Sequence, residues 1–358
     1  MKSKKSARPK FAYVGCFSTA KRKAMGKGIA QFRIDPATGA WKFVEVCDIV
    51  PNPSYIALHP NQRFLYSAHG DSDEVCAYAR DAHSSKLRYL NRQKTEGDNS
   101  STVEVDASGR WVLLSTGPGV ALFPVKHDGS LGPHSDMIVP EGEPGPLRDE
   151  QEGPHPHQAT FDLTGKFVVV PDKGLDRIQV FRFDAERGKL ASAFILDARY
   201  GAVPRHITFH PARPYAYMVA ENDSTVFAFH WDTHSGTLKP FQRVTTLPTD
   251  FVADNMAAEI AILPSGKFIY ASNRGHESIV IYAMNPKNGT IKPIGWEPVQ
   301  GKKPRYFRLS PDASHLYAAN EDSHTIVEFK INQTTGKLEA TGQIIETGSP
   351  TCIAFATN

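Results

Sequence analysis

Four stretches of the chain set histidine, arginine and carboxylate beside alternating apolar segments. PHPHQATFD carries His155 and His157, while VPRHITFHP carries Arg205 and His206 and is followed by AEND with Glu221. AAEIAILPSGKFIYASNRGHESI holds Glu259, Asn273 and Arg274, and KPRYFRLSPD with the later YAANEDS holds Arg305 and Asn320. An imidazole, with an unperturbed pKa of about 6.5, can take a proton from water near neutrality. Arginine keeps its charge and can fork around a carboxylate, a phosphate or a developing oxyanion. These residue types suit acid–base work on an anionic substrate, provided that one scaffold brings them together.

The scaffold is a repeat. PSYIALHPNQRFLY from Pro53, SSTVEVDASGRWVL from Ser100, PHQATFDLTGKFVV from Pro156, PRHITFHPARPYAY from Pro204, AAEIAILPSGKFIY from Ala257 and PRYFRLSPDASHLY from Pro304 share one frame. Each reads as an alternating strand, a turn, an apolar strand, a polar loop and a third strand. The turn segments DPATGAW, DAERGKL, DTHSGTL, NPKNGTI and NQTTGKL then lead to a fourth, their Asx and Gly residues suiting tight hairpins. Spacings of 46 to 56 residues between anchors are those of propeller blades. The N-terminal segments FAYVGCF, GIAQFRI and WKFVEV lack a first strand, and CIAFA at the C-terminus supplies one. The reading is therefore all-β: a seven-bladed β-propeller of four-stranded antiparallel blades, its ring closed by pairing of the N- and C-terminal strands. Residues 1–10 are expected to be a flexible basic N-terminus and residues 11–358 a single propeller domain.

In a blade the first strand lines the axial channel and the second runs back beside it, so the start of one and the end of the other share a mouth. One and two positions past the anchors stand His157, Arg205, His206, Glu259, Arg305 and Tyr306. Sixteen and seventeen positions past them stand Lys173, Glu221, Asn273, Arg274, Asn320 and Glu321. Blades two and three offer only Ser54, His69, Ser101 and Thr116, so the polar ring is lopsided and suits an off-centre pocket. Residues 141–157 and 248–259 lead into first strands and are expected on the same face as rims or a lid. Lys21, Arg22 and Lys23 are expected near the opening, where they either attract an anion or simply form a solvated basic loop.

Composition excludes other classes. A formal charge of +3 over 358 residues is too slight for nucleic-acid binding, which needs a clustered basic face. No run of about 18 apolar residues marks a membrane span, and no apolar stretch precedes Phe11, so a cytoplasmic location is the default. Cys16, Cys47, Cys76 and Cys352 form no C-x-x-C pair and read as buried free thiols. His155-Pro156-His157 has the H-x-H spacing of some metal sites, with Glu221 or Glu259 as a third ligand. The central proline splays the rings and no third histidine has a claim, so no metal and no cofactor are assigned.

At these residues, and over essentially the whole chain from YVGCF onward, the sequence resembles the propeller lactonase family, which includes bacterial propeller-type 6-phosphogluconolactonases and fungal carboxy-cis,cis-muconate cyclases. The resemblance implies lactone chemistry without a dissociable cofactor at the channel mouth, with His157, Arg205, Glu221 and Arg274 as the matching residues. On that footing His157 is the expected general base, with Glu221 orienting it or sharing the task. Arg205 and Arg274 are expected to hold the oxyanion and the acidic group, and His155, Lys173, His206, Glu259, Asn273, Arg305 and Asn320 to contact substrate. The expected partner is a small anionic lactone of a sugar acid, 6-phosphogluconolactone being one candidate. A muconate-type cycloisomerase and a noncatalytic binding propeller are the alternatives, because fold does not dictate function. SAHGDSD and STGPGVA in blades two and three, and the 141–153 insertion, depart from the family's pattern and leave the substrate open.

Overall fold

β-Branched and aromatic residues dominate the segments between turns, and these segments are strands. The computed structural model describes residues 9–147 and 150–357; of the expected flexible segment 1–10, residues 1–8 lie outside the described residues. The strands form seven four-stranded antiparallel sheets. Blade one joins Phe11–Cys16, Ile29–Ile34 and Trp41–Cys47 to Pro350–Ala356, with Phe11 opposite Ala356 and Val14 opposite Ile353. The two chain ends thus pair within one blade and close the ring.

The second strand of each blade is sandwiched between neighbouring blades, which is why its middle is largely apolar rather than alternating, polar residues such as Asp172, Asn273 and Arg274 coming at its end. Phe167–Asp172, Tyr215–Ala220 and Phe268–Arg274 are buried at every residue. Adjacent blades are further tied by a recurring device. The hydroxyl of Tyr217 donates to the carbonyl of Gly289 in the next blade at 2.8 Å, and that of Tyr270 to Gly336 at 2.8 Å. Gly289 has φ of +76°, and a Cβ there would lie 2.7 Å from the ring of Tyr215. Both the tight turn and the aromatic seat beneath it therefore require glycine.

Two departures from a regular ring bear on function. The first strand of blade four is reduced to Thr160–Phe161, preceded by an isolated bridge between Pro156 and Asp172. Second, the register slips where the first strands begin: between Pro53 and Tyr55, Asp98 and Thr102, Pro204 and His206, Ala257 and Ile260, and Pro304 and Tyr306. Thr351 is skipped in the same way between Pro350 and Cys352. A bulge leaves an extra residue unpaired and re-aims its side chain. Repeated around the ring, it sends consecutive side chains toward the axis at one end of the channel.

Candidate active site

The starts of the first strands, bulged in the blades other than the fourth, build the site. Ser54, Ser101, His157, Arg205, Arg305 and Thr351, each one residue past its anchor, border one cavity of about 270 Å³. Second-strand ends add Lys173, Glu221 and Arg274, as the antiparallel geometry requires. A waist follows two positions past the anchors, where Tyr55 and Tyr306 pack edge to face at 5.7 Å and border both this cavity and a lower one.

Charge in the upper cavity is concentrated and tightly organised. Glu221 sits at its centre, with Oε2 2.9 Å from Arg205 Nε and Oε1 3.2 Å from Arg274 Nη2 and 3.8 Å from Lys173 Nζ. Burial opposes ionisation of this carboxyl, but Arg274, Lys173, Arg205 and Arg305 together hold it well below the usual carboxylate range. Arg205 is 2% exposed and also donates to the carbonyl of Ala258. Six cationic side chains, Arg22, Lys173, Arg205, Arg274, Lys303 and Arg305, face the cavity against two carboxylates, Glu150 and Glu221.

The imidazoles are neutral by the same physics. Burial, then the charge of Arg205 and the other nearby cations, holds His157 well below its ordinary value, and burial and Lys173 push His155 down to about 4. His157 Nδ1 lies 3.1 Å from His206 Nε2, and His206 Nδ1 lies 3.0 Å from Glu259 Oε1. The rings of His155 and His157 stack with centroids 6.4 Å apart. Among the described residues no cluster of three His, Cys, Asp or Glu side chains is arranged to hold a metal ion.

Of the residues expected from sequence, His155, His157, Lys173, Arg205, His206, Glu221, Arg274 and Arg305 border the cavity. Three are placed elsewhere. Glu259 stands behind His206 and borders the lower chamber. Asn273 is buried and donates to the carbonyl of Thr246 at 2.8 Å, and Asn320 is buried and donates to that of Val299 at 3.1 Å. Both amides tie down the loop leading from the fourth strand of one blade toward the first of the next, a task invisible in a linear spacing. Arg22 does reach the cavity. It is held by Asp71 through Nε and Nη2, both at 2.7 Å, and lies over the Phe17 ring at 4.6 Å, while Arg305 approaches the same ring at 5.1 Å. Lys21, 77% exposed, stays in solvent.

Sequence reasoning missed Phe17, Tyr55, Glu150 and Lys303. Tyr55 had a readable signal, since it occupies the position of His206 and Tyr306 in the repeat. Glu150 reaches the cavity from the 141–157 connection, which is docked on its own blade by Gln151 Nε2 donating to the Lys173 carbonyl at 2.7 Å. Met256, at the end of the 248–259 connection, also borders the cavity.

Comparison with known proteins gives the family. The profile of the family described as Lactonase, 7-bladed beta-propeller matches residues 11–355. A 6-phosphogluconolactonase of Bacillus subtilis is 31% identical over 96% of this chain and 97% of its own, and one from Formosa agariphila is 31% identical over 96% and 99%. Among solved structures, a periplasmic gluconolactonase of Pseudomonas aeruginosa superposes with a TM-score of 0.86 at 26% identity, covering 97% of this chain and 98% of that one. The chain belongs to the lactonase family of seven-bladed β-propellers.

Proposed function

We propose that the protein hydrolyses the lactone of an anionic sugar acid, with 6-phosphogluconolactone as the leading candidate, in the upper cavity of the channel. The observation that carries this reading is the surplus of cations over carboxylates around a space sized for one small ligand. Asp71 pairs with Arg22, and Glu321 with Lys303 and Arg305, from outside the lining, and a bound phosphate or carboxylate offsets the positive charge that remains. The names of the curated relatives support the same class of reaction.

In this mechanism the lactone carbonyl lies toward Arg205 and Arg274, whose charge stabilises the oxyanion formed when water adds. The acidic group of the substrate meets Arg305, Lys303, Arg22 and Lys173. His157 takes the proton of the attacking water through Nε2, which no protein group occupies among the described residues. Its basicity is suppressed first by burial and then by the surrounding cations. A bound anion offsets those cations and raises the basicity of His157, so the substrate switches on its own base. Glu221 keeps Arg205 and Arg274 in place.

Hydrolysis is favoured over cyclisation for a specific reason. Lactone formation by addition across a double bond needs an acid to protonate carbon. Glu221 is held ionised by four cations, and His157 is held neutral. Neither is poised to deliver a proton.

The test is acid release from a panel of sugar lactones, with and without a phosphate, at mildly acidic pH. The expected outcome is turnover of the phosphorylated lactone with a kcat lowered about 10²- to 10⁴-fold in His157→Ala. Turnover that ignores the loss of His157 would remove it as the base, and no turnover of any lactone would overturn the hydrolase reading.

A further inference from the structure

His157 is one end of a chain of three side chains that crosses the waist of the channel. His206 Nε2 lies 3.1 Å from His157 Nδ1, and His206 Nδ1 lies 3.0 Å from Glu259 Oε1. All three residues are buried. The backbone N–H of Ile260 also donates to Glu259 Oε1, at 3.0 Å. An oxygen that accepts from a backbone amide also accepts from the imidazole beside it, so the proton between His206 and Glu259 belongs to His206 Nδ1. A neutral His206 then has a bare Nε2, which can only accept. The proton between the two rings is therefore on His157 Nδ1, and His157 Nε2 carries the lone pair. Glu259 Oε2 is buried and has no hydrogen-bond partner among the described residues.

We propose that Glu259 and His206 are positioning residues that fix the tautomer of His157 and receive the positive charge formed when it acts as a base. The inference rests on the reading of His157 as the general base. The step balances simply. A water proton passes to His157 Nε2 as the hydroxide oxygen bonds to the lactone carbonyl carbon. The proton on His157 Nδ1 moves to His206 Nε2. His206 becomes an imidazolium facing the Glu259 carboxylate, and the negative charge resides on the oxyanion beside Arg205 and Arg274. Glu259 is thus assigned to the base rather than to the substrate.

Electrostatics favour the charge on His206 over His157. The charges facing His157 are Arg205, His206, Lys173 and Arg305, all unfavourable to an imidazolium. His206 faces Arg205 as well, but Glu259 and Glu221 oppose it. The other titratable groups near Glu259 are Arg205, Tyr55, Tyr306 and Cys352.

Two measurements on the intact protein test the proposal. In ¹⁵N-histidine-labelled protein at about pH 7, ring nitrogen shifts are expected to show Nδ1 protonated and Nε2 unprotonated at both His157 and His206. His157 protonated at Nε2, or His206 carrying two protons at rest, would overturn it. In the second, Glu259→Gln is expected to lower kcat roughly tenfold or more with KM within about twofold, because the charge but not the shape behind the imidazoles is lost. Its acid limb in the kcat–pH profile is expected to move to lower pH, since a carboxylate raises the basicity of a neighbouring imidazole and an amide does not. Glu259→Asp is expected to recover most of the lost kcat. Unchanged kcat and an unmoved limb in Glu259→Gln would overturn the relay, as would a failure of Glu259→Asp to outperform it. If the wild type hydrolyses no lactone, the proposed function falls and the ring-nitrogen shifts alone decide the tautomer chain.

Discussion

The two ends of the channel are built by the same seven strands and are chemically unlike. Above the waist lies a cavity of about 270 Å³ with six cations and two carboxylates. Below it lies a chamber of about 630 Å³ in which the charged side chains are Glu104, Glu259 and Arg308. Four positions past the anchors, the lower ring reads Ala57, Glu104, Thr160, Thr208, Ala261, Arg308 and Ala354, mostly small residues that leave the lumen wide. The difference has a backbone origin. Bulges at the upper ends turn consecutive residues inward, so each blade can contribute more than one functional group. Lower down, the regular pleat offers one residue in two, and size rather than charge varies around the ring.

Two arginines, one in each chamber, give the largest expected contrast. Arg205 sits 2.9 Å from Glu221 and faces the proposed oxyanion, while Arg308 Nη1 donates to the Tyr306 hydroxyl at 3.3 Å below the waist. Arg205→Ala is expected to lower kcat/KM about 10²- to 10³-fold, the usual cost of removing an oxyanion-stabilising group. Arg308→Ala is expected to leave kcat/KM within about twofold, because a solvated charge beyond the waist does not meet the reacting atoms. Steady-state kinetics on the phosphorylated lactone compare the two directly. Equal losses would mean that the chambers work as one site.

The next contrast is in stability. Glu221 holds three cations together from the interior of the upper cluster, so Glu221→Gln leaves Arg205 and Arg274 without their carboxylate and Lys173 with Glu150 alone. Removing one member of such a buried network typically costs about 3 to 5 kcal/mol. Chemical denaturation should show a loss of that order, and added phosphate should return part of it by supplying the missing negative charge. A variant as stable as the wild type would mean that the cations are solvated rather than held by Glu221.

Much of this was readable in the sequence, for identifiable reasons. Blade number, ring closure and the shared mouth follow from a repeat in which Pro204 and Glu221, or Ala257 and Arg274, recur at one spacing. Burial cannot be read the same way. Asn273 and Asn320 stand one position before the places of Lys173 and Glu221 in the repeat, and their short amides turn into the blade and bond to Thr246 and Val299. Glu259 matches His206 in the repeat but is displaced by the slip between Ala257 and Ile260, and ends behind the histidine instead of beside it. A bulge changes which face a side chain occupies without changing residue counts, so spacing locates the site but not its layers.

The smallest expected effect concerns a second glutamate with the opposite sign of pH dependence. Glu221, with its pKa depressed, stabilises the fold above the ordinary carboxylate range and loses that contribution as pH falls. Glu104 is walled by protein below the waist. Burial raises its pKa from 4.5 to about 7, more than the Thr160 hydroxyl, the Phe161 backbone and the charge of Arg308 can counter. The folded chain therefore binds this proton more tightly than the unfolded chain does, and the stability it gives is complete below the unfolded value. It declines as pH rises through the folded value, because the unfolded carboxyl ionises freely while the folded one resists. The lumen admits water to the side chain, which reduces the effect to roughly 1 to 2 kcal/mol between about pH 5 and pH 8. Glu104→Gln removes this slope. Measured as the difference between wild type and variant, denaturation should show the variant gaining on the wild type by that amount toward alkaline pH, with lactone turnover unchanged. A difference that stays flat with pH would mean that Arg308 holds Glu104 ionised, making the lower chamber a second site of paired charge rather than the wide, weakly charged outlet of the first.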